Sequence, residues 1–72
     1  MSNDNDIPNE VKKILIEQEI AMHKNTAWLV QVRHNVNKKL GATAEELKPL
    51  VEEIIKHEQS IDLLKLELPK AE

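Results

Sequence analysis

Residues 38–47, Lys38-Lys39-Leu40-Gly41-Ala42-Thr43-Ala44-Glu45-Glu46-Leu47, decide the fold. Gly41 is the only glycine in the 72 residues. Lacking a Cβ, it takes the left-handed conformation that ends a helix at little steric cost. Lys38 and Lys39 fall in the turn just before it, where cations complement the negative end of the helix dipole. Thr43 and Glu46 then form a capping box: the Thr43 hydroxyl accepts from the N–H of Glu46, and the Glu46 carboxylate reaches back to Thr43. A helix stop and a helix start separated by two to four residues make the two helices antiparallel neighbours.

Upstream of the turn, Asp6-Ile7-Pro8 reads as a helix start, with Asp6 as N-cap and Pro8 in the first turn, where its missing N–H is harmless. No Gly or Pro interrupts the roughly 32 residues from there to Leu40, about 48 Å of helix at 1.5 Å per residue. Downstream, Pro49 falls at the sixth helical position, past the turn that tolerates it. Either helix 2 carries a kink there, or residues 43–48 form a separate turn and the long helix begins at Pro49; one kinked helix is the expectation. Pro69 closes it near Leu66–Leu68. The expected organisation is thus a disordered tail (1–6), helix 1 (about 8–40), a turn (41–43), helix 2 (about 44–68) and a short tail (69–72).

Helix 2 has one heptad seam, Leu47, Leu50, Ile54, His57, Ile61, Leu64 and Leu68, with His57 its polar member. Helix 1 has two. Val11, Leu15, Gln18, Met22, Asn25, Leu29, Val32, Val36 and Leu40 make the longer one, flanked by Ile14, Ala21 and Trp28. Ile16, Ile20, His23, Ala27, Val30 and His34 make the second, on the opposite side. Pairing the longer seam with helix 2 leaves the second without an intramolecular partner, and a helix apolar on two sides is normally covered on both. Leaving Ile16, Ile20 and Val30 in water would forfeit on the order of 1.5–3 kcal/mol apiece. The expectation is therefore an all-α antiparallel two-helix hairpin that associates as a homodimeric four-helix bundle or larger helical assembly, with Ile16, Ile20, His23, Ala27, Val30 and His34 as the oligomer interface. Helix 1 also outruns helix 2, and in a two-fold dimer the overhangs near Val11–Leu15 cover one another.

Chain size leads to the same place. A chain this short buries only about 60% of the surface it exposes when unfolded, so it calls for disulfides, a metal or oligomerisation. Cysteine is absent, which removes disulfides and thiolate zinc sites. Ten Lys and Arg against thirteen Asp and Glu give a net charge of −3, which disfavours bulk capture of nucleic acid or an anionic membrane. Trp28 is the only aromatic ring of the Phe, Tyr, Trp class, too few for a base-stacking platform. The polar first six residues carry no secretory signal, and no apolar run nears the ~18 residues of a membrane span. The expected location is cytoplasmic.

Few residues offer chemistry. Gln18 and Asn25, polar in a seam, are read as setting register or touching water rather than lining a pocket. His23, His34 and His57 all lie on stripes. His23 and His34 are about 16 Å apart along one helix, too far to share a metal. Glu19 with His23 and Glu53 with His57 are i,i+4 pairs, which suggests interface histidines with carboxylate partners and a pH-sensitive assembly. No metal and no cofactor are expected. Trp28 is a candidate anchor for a docking protein. Arg33, Lys38 and Lys39, gathered before the turn, form a candidate anion or phosphate site, opposed by Glu45 and Glu46. No catalytic arrangement is present, and a histidine enzyme built between subunits is the least favoured class.

A small non-enzymatic oligomeric interaction protein is the expectation, an adaptor or regulator binding another protein. The alternative is an RNA- or phosphate-binding bundle using the basic cluster. In plan the hairpin resembles small plasmid and phage bundle proteins, and it reads as a bacterial or phage accessory protein by that analogy alone; no motif ties it to a family.

Overall fold

A computed structural model describes residues 7–69. Two helices, α1 (Asn9–Lys39) and α2 (Ala44–Leu66), pack against each other as an antiparallel hairpin, and no strand occurs among the described residues. The hairpin is a rod of 54 × 21 × 17 Å.

The turn is built as its residues dictate. Gly41 has φ +95°, its N–H donates to the Lys38 carbonyl at 3.1 Å, and the Ala42 N–H reaches back to the Asn37 carbonyl at 3.0 Å. Those two bonds make a Schellman motif, satisfying carbonyls that the end of α1 leaves without partners. Two residues later the capping box closes: Glu46 N–H donates to Thr43 Oγ1 at 3.2 Å, and Thr43 N–H donates to Glu46 Oε1 at 2.8 Å. The Thr43 N–H is the main reason the Glu46 carboxyl is held below its ordinary range, and the Thr43 hydroxyl adds to it.

Three local details refine the sequence reading. Pro8 is itself the N-cap of α1, with extended backbone and no side-chain cap; its carbonyl accepts from Val11 and Lys12, each at 3.0 Å. Asp6 and the tail 1–6 lie outside the described residues. Pro49 sits inside an unbroken α2 that starts at Ala44, so residues 43–48 are no separate turn. The capping box starts the helix firmly enough to carry a proline that denies the Glu45 carbonyl its helical donor.

Packing reverses the expected roles of the two α1 stripes. Ile20 and Val30 are buried, Val30 completely, and Ile16, His23, Ala27 and His34 are half-buried. Their partners are on α2: Leu47 and Ile61 are buried, and Leu50, Ile54, His57 and Leu64 half-buried. The residues expected to bind another subunit are thus the hairpin seam itself. Conversely, Val11, Leu15, Gln18, Met22, Asn25, Leu29, Val32, Val36 and Leu40 are all exposed. The tight turn accounts for the exchange. With only Leu40–Thr43 between the helices, and both ends locked by backbone hydrogen bonds, the rotation of α1 about its axis is fixed where His34 approaches Leu47.

Candidate functional site: the outer face of α1 and the histidine pair

At about 100° per residue, the centre of the exposed seam lies on the side of α1 opposite the seam that packs on α2. Along this outer face Leu15, Met22, Leu29 and Val36 are each about half exposed, from 49 to 53%. Val11 and Val32 are slightly less so, Ile14 lies beside Leu15, and Trp28 flanks Leu29 with 66% of its surface open. Interrupted only by Gln18 and Asn25, the stripe runs nearly the whole of α1. Among the described residues four apolar side chains are buried: Ile20, Val30, Leu47 and Ile61. More large apolar side chains therefore face water along α1 than are buried inside. Monomeric proteins rarely present so long a contiguous apolar strip unless something covers it.

Midway along the inner seam the two helices meet through histidines. His23 Nδ1 and His57 Nδ1 are 2.8 Å apart, with ring centroids at 5.0 Å and planes inclined by 49°. At that distance one ring carries its proton on Nδ1 and the other offers its lone pair. Glu53 stands 3.6 Å from His57 Nε2, the i,i+4 pair expected, and beyond hydrogen-bond length. Glu19 shares a groove with His23, Ser60, Leu63, Leu66 and Glu67. The Nδ1 of His34 is buried without a hydrogen-bond partner. Among the described residues, no three His, Cys, Asp or Glu side chains come together as a metal site requires.

The cross-helix histidine pair was missed by treating helix 1 as pairing through its other stripe. The signal was present: His57 is the one polar member of the α2 seam, and His23 lies on the α1 stripe that can answer it.

Nor do the basic residues before the turn form a patch. Arg33, Lys38 and Lys39 are exposed, but successive positions leave α1 about 100–140° apart, so the three point in different directions. Lys38 and Lys39 border a shallow groove with Asn35, without Arg33. The Glu46 N–H that would face a phosphate is already taken by Thr43. Trp28, by contrast, stands open beside the outer seam.

No family model, curated protein or solved structure matches the chain. No described helix is long and apolar enough to cross a membrane.

Proposed function

We propose that this chain is a non-enzymatic, self-associating helical interaction protein, and that its working surface is the outer face of α1. The supporting observation is the uncovered heptad stripe from Val11 to Val36, on the side of α1 that its own α2 cannot reach. A stripe with three- and four-residue spacing fits the groove of another helix. Covering it offsets the weakness of a core of four buried residues. Association through this face gives a four-helix assembly. Leu63 and Leu66, 64% and 78% exposed beside the groove at the far end of α2, remain available to a different protein, in keeping with an adaptor or regulator.

Thermal unfolding at a series of protein concentrations tests this. For a folded state that includes association, Tm rises with concentration. Leu29→Glu, which places a charge in the middle of the outer face, should abolish that dependence and leave the helical far-ultraviolet signal of the hairpin. A Tm independent of concentration in the natural chain would contradict the proposal.

A further inference from the structure

We infer that the occupant of the outer face is residues 11–36 of a second copy running in the opposite direction, with the two-fold axis crossing between positions 23 and 24. The inference rests on the self-association proposed above and gives it a direction and a register.

The argument is one of counting. Leu15, Met22, Leu29 and Val36 repeat every seven residues, as do Val11, Gln18, Asn25 and Val32. The two series are the two core positions of a heptad seam. In an antiparallel pair, one kind of core position faces the other kind. The register that opposes Val11 to the partner's Val36 also opposes Leu15 to the partner's Val32, Gln18 to the partner's Leu29 and Met22 to the partner's Asn25. Every member of both series then meets a seam residue. A shift of one heptad one way sets Leu15 against the partner's Lys39 and carries Val11 past the end of the partner's helix. The opposite shift leaves Val32 and Val36 without partners. In the favoured register Trp28, on the flank, lies over the partner's Ala21, a large side chain above a small one. The two Asn25 amides stand in adjacent layers either side of the axis, close enough to satisfy each other.

Charge selects the direction. Lys39 continues the Val11, Gln18, Asn25, Val32 series, so a parallel pair would oppose Lys39 to its own copy. It would also bring both Arg33, Lys38 and Lys39 ends together and align the two helix dipoles side by side. Antiparallel pairing separates the cationic ends and opposes the dipoles. The area is sufficient as well. Eight large apolar side chains along the seam, Ile14 and Trp28 included, are 37–66% exposed, a strip of the extent a standard interface covers. The contact is self-complementary and closes at two copies. Across the assembly the order is α2, α1, the partner's α1, the partner's α2.

The chain has no cysteine, so disulfide trapping starts from a clean background. The full chain is prepared as V11C, as V36C and as the double variant V11C/V36C, each checked for helicity by circular dichroism, then oxidised and run on a non-reducing gel. The inference expects the double variant to shift to a two-chain band and each single variant to stay at one chain. Cross-linking of V36C alone would show a parallel pair and overturn it. So would a double variant that fails to cross-link while the natural chain weighs as a dimer, an outcome that leaves self-association standing. A natural chain that weighs as a monomer removes both.

Discussion

His23 Nδ1 lies 2.8 Å from His57 Nδ1 across the hairpin, so the one polar member of the α2 seam is answered by a polar residue of α1. Removing one partner of such a pair strands the other, whereas replacing both with apolar groups of similar size can be neutral. His57→Leu alone should cost about 1–2 kcal/mol, and His23→Leu with His57→Leu should recover most of that loss. A urea-unfolding cycle over the four proteins checks this; additive losses would mean that the contact does not couple the helices.

Two valines separated by one residue distinguish the two faces of α1. Val30 is fully buried, and Val32 is 37% exposed. In the Leu29→Glu background, where the outer face is disabled, Val30→Ala should cost about 2 kcal/mol through the lost burial and residual cavity. Val32→Ala should cost a few tenths there, as surface changes do. Denaturant midpoints of the two variants give the comparison, and equal losses would place Val32 in the hairpin seam.

Gly41 holds φ +95° with open space where a Cβ would stand, so Gly41→Ala tests conformational strain without a clash. The expected penalty is about 1–2 kcal/mol, a drop in Tm of several degrees at least. Gly41→Asn should lose less, because Asn tolerates the left-handed region. Calorimetry of both variants measures the difference.

Glu46 provides an acid-dependent contribution whose sign is fixed. The Thr43 N–H and hydroxyl hold its carboxyl below the usual carboxylate value in the folded chain. A carboxyl lowered on folding contributes stability above its unfolded value, and that contribution disappears as pH falls through the lowered, folded one. Thr43→Ala should lower stability by about 1 kcal/mol at neutral pH and flatten the fall in Tm on acidification, since it deletes the hydroxyl arm of the box. Parallel melts from neutral to acid pH decide it; a gap between Thr43→Ala and the natural chain that widens on acidification would show the sign to be wrong.

Much of this fold is legible in the sequence because its turn is specified by local chemistry. Gly41, Thr43 and Glu46 act within a few residues of themselves, so their backbone bonds could be read before any packing was known. The α2 seam was legible for a different reason: α2 has a single continuous stripe, and that stripe is what packs. In α1 two stripes of similar spacing compete, and the periodicity is silent on which one faces inward. Leu15, Met22 and Leu29 are at least as bulky as Ile20, His23 and Val30, yet the latter take the inner face, on the side to which the short Leu40–Thr43 connection brings α2. The Arg33, Lys38 and Lys39 cluster failed for a related reason: neighbours in sequence diverge around a helix. Two stripes on one helix imply a surplus apolar side, and the structure puts it on the Leu15, Met22, Leu29 and Val36 face.

The uncovered outer face of α1 is tested most directly by the mass of the purified natural chain from light scattering, followed through dilution. One chain weighs 8.3 kDa. Self-association through Met22 and Leu29 predicts twice that mass, dropping to a single chain with Leu29→Glu. A folded natural chain that stays at the single-chain mass throughout would contradict it.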